Sequence, residues 1–551
     1  MHILSCILLP LVAACATAPV QELHIVPQPA SVTIEKGSVC LAGESVWVDE
    51  SLGHEAFNAV SDFAWRLSSA SGQKSAMASS PEQAGIRFAL DETIAPEAYT
   101  LDSGKGGVTV RASSFRGALY GLATLQQMLP ASVFSGDKEN GASWSIPFVR
   151  IEDSPRFAYR GLHLDPCRHF WEIDEVKRYI DVMALYKLNN LHLHLNDDQG
   201  WRVEIKSRPL LTEIGSKRSG TCIGAEKGNS DGIPYGGFYT QEQLAELVSY
   251  AADRGINIIP EIDLPGHMLA ALAAYPELGC TGGPYEVWTR WGISDDVLCV
   301  GKEKTFKFLE DVLGEICDIF PSEYIHIGGD ECPKTHWASC PRCQARIRQL
   351  GLKDNEHGTK EQYLQNYVTS RMQDFLSGRG RKIIGWDEIL EGELAPGATV
   401  MSWQGTEGGI EASARGFDVI MSPYTYLYFD YYQSRERDKE PYAIGGYLPV
   451  ENVYAYEPFD ELDEFQQGHI LGVQANVWTE YIATTEHLEY MLLPRLCALS
   501  EIQWSPRGSK DFDRFKESLH HQFDILDAMG YTYCQDVFGI IGLPGSKQPS
   551  L

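Results

Sequence analysis

From Pro155 onward the chain repeats one pattern eight times: a short apolar run of strand-forming residues, then a longer stretch with helical periodicity. The runs are Tyr159 to Leu164, Asn190 to Leu195, Ile256 to Ile262, Tyr324 to Gly328, Lys382 to Trp386, Thr399 to Trp403, Asp418 to Met421 and His469 to Ala475. Neighbouring parallel strands need a long crossover between them, usually a helix. Eight such units over about 350 residues predict a (β/α)8 barrel. An open doubly wound sheet would usually carry a Gly-rich first turn, and no GxGxxG follows the first run.

The segments between the runs support this. Val176, Tyr179, Ile180, Met183 and Tyr186 recur at the three-and-four spacing of a buried helical face, as do Leu309, Val312, Leu313, Ile316 and Phe320. Thr240 and Gln243 form a capping-box pattern, and Gly255 stands where that helix would end. Residues 20 to 154 mix β-rich runs with amphipathic stretches, predicting a small α+β domain ahead of the barrel at 155 to 505. Residues 506 to 551 form a C-terminal extension, with Phe512, Phe515, Leu519, Phe523 and Leu526 on one helical face.

Ile3 to Val12 is too short to span a bilayer and is followed by Val12, Ala13, Ala14, Cys15. This predicts an export signal over residues 1 to 14, with Cys15 lipidated in the manner of a bacterial lipoprotein; cleavage near Ala18 is the alternative. Export to the cell envelope follows, as an outer-membrane lipoprotein or a periplasmic protein, with membrane attachment through lipid alone. Lys plus Arg number 46 against 75 Asp plus Glu, a net charge of −29 that repels nucleic acid and anionic membranes.

Catalytic residues of such barrels lie at the carboxyl ends of the strands. Arg160 and Asp165 flank the first run, Asn196, Asp197 and Asp198 follow the second, and Glu261, Asp263 and His267 follow the third. Asp330 and Glu331 follow the fourth, Trp386, Asp387 and Glu388 end the fifth, and Trp403 ends the sixth. Tyr428 and Asp430 follow the seventh, Trp478 and Glu480 the eighth. Carboxylates interleaved with indole rings suit a sugar, whose apolar faces stack on rings while its hydroxyls bond to acids. The adjacent acids Asp330 and Glu331 cannot straddle a pyranose in the way conventional glycosidase pairs do, about 5 to 9.5 Å apart. A nucleophile must come from another strand or from the substrate.

The strings YRGLHLDPCRHF (159 to 170), HLNDDQGW (194 to 201), PEIDLPGH (260 to 267), HIGGDE (326 to 331) and GWDEIL (385 to 390) resemble the β-N-acetylhexosaminidases of glycoside hydrolase family 20. The likeness extends over residues 20 to 505 and implies exo-action on terminal β-linked N-acetylhexosamine. It also implies a retaining mechanism in which the substrate's own 2-acetamido oxygen attacks the anomeric carbon, a departure from the two-carboxylate scheme. By this resemblance Glu331 is general acid and base, Asp330 holds the acetamido N–H, and Tyr428 donates to the acetamido oxygen. Trp386, Trp403 and Trp478 wall the acetamido pocket, Arg160 binds O3 and O4, and Asp430 and Glu480 bind O4 and O6. Asp197 and His267 support Glu331.

No cofactor or metal is expected. His192 and His194, with His267 and Asp330, give a metal-dependent hydrolase a foothold, and a glycan-binding surface lipoprotein would share the aromatic rim without needing the acid pair. For Cys332, Cys340 and Cys343 a local disulfide or loose thiols are favoured over zinc, whose fourth ligand would have to be His336 at irregular spacing. Cys280 and Cys299 bracket an 18-residue Gly-rich loop, and a disulfide between them is expected to contribute about 3 kcal/mol.

Overall fold

The computed structural model describes residues 23–535 except 226, 227, 393 and 395. The signal segment and Cys15 lie outside the described residues. The amino-terminal domain is one six-stranded sheet built from β1 (Ser31–Cys40), β2 (Val46–Val48), β3 (Ile86–Leu90), β4 (Tyr99–Gly104), β5 (Gly107–Ala112) and β6 (Ser145–Asp153). Its order is β1-β6-β4-β5-β3-β2. Two helices, α1 (His54–Ser71) and α2 (Phe115–Gln127), bury their apolar residues in the same core.

The barrel strands are β7 (Tyr159–Leu164), β8 (Asn190–His194), β9 (Asn257–Glu261), β10 (Tyr324–His326), β11 (Lys382–Trp386), β12 (Thr399–Ser402), β13 (Asp418–Met421) and β14 (Ile470–Ala475). They close into a barrel in chain order, and every neighbouring pair is parallel. All eight runs seen in the sequence are strands, displaced by at most two residues at an end. β7 is buried along its whole length because helices cover its outer face while side chains fill the barrel.

The helix signals also materialise. α3 (Ile173–Leu185) buries Val176, Tyr179, Ile180 and Met183. α4 (Gln241–Ala252) begins with the Thr240–Gln243 capping box, both reciprocal bonds being formed at 2.9 and 3.1 Å. Gly255 takes φ +73°, the left-handed conformation that ends the helix without a Cβ penalty. α5 (Glu303–Ile319) buries Leu309, Val312, Leu313 and Ile316.

Buried charges join the two domains under the barrel floor. Lys187 Nζ lies 3.1 Å from Asp153 Oδ2, with neither side chain exposed, and Trp504 Nε1 donates to the same carboxylate at 2.9 Å. The helix Phe512–Met529 closes against the amino-terminal domain, with Gln522 Nε2 donating to Gln127 Oε1 at 3.1 Å.

Two expectations need correction. Arg160 does not reach the barrel mouth. It stands near the amino end of β7, roughly 13 Å of strand below Leu164 at about 3.3 Å per residue. Its guanidinium donates to Glu97 Oε2 at 3.1 Å, to the Tyr120 hydroxyl at 2.7 Å and to the Lys187 carbonyl at 2.8 Å. It therefore fastens the barrel to the amino-terminal domain. Cys280 and Cys299 form no disulfide with each other: the backbone brings them side by side, but their sulfurs face Cys343 and Cys340 on the next loop.

Candidate active site

The mouth begins with the loop after β10. Gly328 has φ +61°, and a Cβ there would sit 1.9 Å from Asp263 Oδ1, so only glycine lets the loop pass. Gly329, at φ +102°, donates its N–H to that same carboxylate oxygen at 3.0 Å. Glu331 follows at φ +44°, a left-handed conformation a glutamate adopts only where its surroundings impose it. Its backbone N–H donates to Glu388 Oε1 at 3.4 Å. Asp330 is thereby buried, while the Glu331 side chain remains 36% exposed and reaches the opening.

Both acids face one imidazole. His267 Nε2 lies 3.8 Å from Asp330 Oδ2 and 3.7 Å from Glu331 Oε2. Its other nitrogen is 3.2 Å from Asp197 Oδ1. Asp197 Oδ2 in turn takes His194 Nε2 at 3.0 Å and Arg168 at 2.9 Å, and His194 Nδ1 contacts Glu261. Glu261 also lies 3.0 Å from His326 Nδ1 and 3.1 Å from His192 Nε2, and it accepts the Trp386 indole N–H at 3.0 Å. A chain of alternating acid and base thus runs from the barrel interior to the mouth.

The electrostatics follow from burial and these partners. For His267, burial opposes the charged ring, but the charge and hydrogen bond of Asp197 outweigh it and hold the pKa well above the ordinary histidine range. Asp330 is pushed well above the usual carboxylate range by burial and then by Asp263, which burial itself lifts to about 7. Glu388 is raised to about 8, first by burial and then by Asp387.

Rings line the other side. Trp386 and Trp478 have centroids 6.0 Å apart, and Trp403 stacks on Tyr428 at 6.1 Å with 15° between planes. Trp386 forms part of a small apolar cluster in the barrel interior, against which Trp403 and Trp478 pack. The Trp403 indole donates to Glu388 Oε2 at 2.9 Å, fixing its tilt. Tyr428 is aligned by a parallel bridge to Asn476. Next to it Asp430 is buried and Glu480 partly buried, and desolvation raises the pKa of both. Asp330 Oδ1, Asp430 Oδ1 and Glu480 Oε2 are buried without a hydrogen-bond partner; such groups cost about 1–3 kcal/mol each until a ligand satisfies them.

Apart from Arg160, the site residues expected from the sequence gather at this mouth. The arginine present there is Arg168, which bonds Asp165 Oδ2 at 2.9 Å and Gln199 Oε1 at 2.9 Å, lies 3.5 Å from Glu480 and sits 5.1 Å above the Trp478 ring. The signal was available: Arg168 follows Asp165, past the carboxyl end of the strand, whereas Arg160 precedes that end. His192 and His194 do point into the barrel, but they serve Glu261 and do not converge with His267 and Asp330.

A barrel with buried acids, an arginine and stacked indoles at its carboxyl face defines a sugar-processing enzyme class. Residues 157–507 match the catalytic domain of glycosyl hydrolase family 20, and residues 22–154 match domain 2 of that family. The chain is 42% identical over 523 residues to a beta-hexosaminidase of Porphyromonas gingivalis, spanning 93% of this chain and 64% of that protein. It is 36% identical to a beta-hexosaminidase of Akkermansia muciniphila, across 80% of this chain and 86% of the other. The GH20 β-N-acetylhexosaminidase structure from Streptomyces coelicolor superposes with a TM-score of 0.81 at 34% identity, covering 93% of this chain and 97% of that one. The chain belongs to glycoside hydrolase family 20.

Proposed function

We propose that the chain is an exo-acting β-N-acetylhexosaminidase that releases terminal non-reducing N-acetylglucosamine or N-acetylgalactosamine by a retaining, substrate-assisted reaction. The observation that carries this is the convergence of Asp330 and Glu331 on one nitrogen of His267, which puts both acids on one side of the pocket. Glu331 protonates the departing glycosidic oxygen. The acetamido carbonyl oxygen attacks the anomeric carbon from the opposite face, giving an oxazolinium ion. Asp330 accepts the acetamido N–H and offsets the positive charge that develops on the ring, while Tyr428 steers the carbonyl oxygen. Glu331, now ionised, draws a proton from the water that opens the intermediate, and configuration is retained overall.

Trp386, Trp403 and Trp478 wall the acetamido group and exclude water that would otherwise compete for the anomeric carbon. Asp430 and Glu480 take the hydroxyls at O4 and O6, and Arg168 replaces Arg160 as the donor to O3 and O4. Turnover of a panel of glycosides differing only at C2 and C4 tests the assignment. Activity confined to 2-acetamido sugars supports it; equal turnover of plain glucosides contradicts it.

The two arginines should behave differently. Arg168→Lys keeps the charge but loses the planar fork, and is expected to raise KM about tenfold or more, the worth of one charge-assisted hydrogen bond. Arg160→Met should leave KM unchanged and lower unfolding stability by about 3 kcal/mol, because Glu97 loses its buried partner. Steady-state kinetics and chemical denaturation of the two variants separate these roles.

The export signal makes the protein a cell-envelope lipoprotein anchored through Cys15, in line with an enzyme working on glycans outside the cytoplasm. Mass spectrometry of the mature amino terminus should find a diacylated or triacylated Cys15; an unmodified start near residue 19 would contradict the anchor.

A further inference from the structure

We infer that Cys280, Cys299, Cys340 and Cys343 hold a structural zinc ion that pins the loop after β9 to the loop after β10, the segment that carries Asp330 and Glu331. The Sγ–Sγ separations are 3.8 Å for Cys280–Cys343, 3.7 Å for Cys299–Cys340 and 3.7 Å for Cys299–Cys343. Four thiolates placed tetrahedrally around zinc at about 2.3 Å define edges of about 3.8 Å. A disulfide needs about 2.05 Å. The four sulfurs lie within 4.8 Å of one another, and all but Cys280 belong to buried residues.

Two separate pieces of backbone create the arrangement. Cys280 and Cys299 are set side by side by an antiparallel bridge between Gly279 and Leu298, with the Cys299 N–H donating to the Leu278 carbonyl at 2.8 Å. Cys340 and Cys343 come from a CPRC turn in which Cys340 caps the ten-residue helix Pro341–Leu350. Their sulfurs therefore lie at a helix amino terminus, where free N–H groups and the helix dipole favour thiolate.

The two pieces touch at Gly301. A Cβ there would fall 2.3 Å from the Arg342 carbonyl carbon and 2.6 Å from the Cys343 nitrogen, so the approach is possible only for glycine. Beside the cluster, the buried Trp337 indole donates to the Leu298 carbonyl at 2.9 Å and ties the same two loops.

An all-sulfur tetrahedral set selects zinc over magnesium or calcium, and four protein ligands leave no open position for catalysis. Binding releases the four thiol protons to solvent. From Glu331 to Cys340 is a span of nine residues, so the ion sets the far anchor of the loop that holds the general acid.

The test is metal analysis of the purified full-length protein by inductively coupled plasma mass spectrometry, with thiol titration before and after metal removal by a chelator in denaturant. One zinc per chain is expected, with these four thiols unreactive until the ion leaves. Cobalt substitution should add thiolate charge-transfer and tetrahedral d–d absorption. Cys280→Ser, at the half-buried edge of the cluster, should lower zinc occupancy and the thermal midpoint together. Zinc-free protein with the four sulfurs mapped as disulfides, free thiols reactive without metal release, or iron at one per chain would each overturn the assignment; the measurements on the unmodified protein stand even if the variant fails to fold.

Discussion

Glu331→Gln is expected to lower kcat/KM by about 10²- to 10⁴-fold on natural glycans and alkyl glycosides, and far less on aryl glycosides with acidic phenols. Proton donation matters in proportion to the basicity of the departing oxygen, and a nitrophenolate leaves unaided. Glutamine keeps the shape and the contact with His267 but has no proton to give. A plot of rate against leaving-group pKa should be shallow for the native enzyme and steep for the variant. Parallel lines, with equal loss on every leaving group, would remove Glu331 from the acid role.

Asp330→Asn should behave in the opposite way, slowing every substrate by about 10²- to 10³-fold whatever its leaving group, the range found when one preorganised electrostatic contact is removed. Asparagine can still accept the acetamido N–H, yet it cannot carry the negative charge that offsets the forming oxazolinium. Burial and then Asp263 raise the pKa of the native aspartate, and the positive charge of the forming oxazolinium favours its ionised form. Because the attacking step itself is impaired, the dependence on leaving group should become no steeper than in the native enzyme. A variant that loses activity only on poor leaving groups would make Asp330 the acid and reverse the two assignments.

The barrel was legible in the sequence because strand and helix periods alternate eight times, and a period is a local property. The acid pair was legible for the same reason, since Gly328 and Gly329 mark a loop and the acids follow within two residues. What local pattern does not encode is which end of a strand a residue occupies in space. Arg160 and Arg168 lie in one string of twelve residues, yet one faces the amino-terminal domain and the other the mouth. The Glu261 hub was hidden as well: its partners His192, His194, His326 and Trp386 come from three other strands, and only barrel closure brings them together. The four cysteines show the same limit. Cys280 and Cys299 look like a pair within one loop, and the CPRC turn looks like a second pair, but the fold lays one against the other.

That the nucleophile belongs to the substrate is tested most directly by kcat/KM on aryl glycosides whose 2-acetamido methyl carries zero, one, two or three fluorines. Each fluorine withdraws electrons from the carbonyl oxygen while scarcely changing the leaving group. Attack by that oxygen predicts a steep, monotonic fall in rate along the series. A flat series, together with a sugar ester trapped on any carboxylate of the protein, would contradict the account.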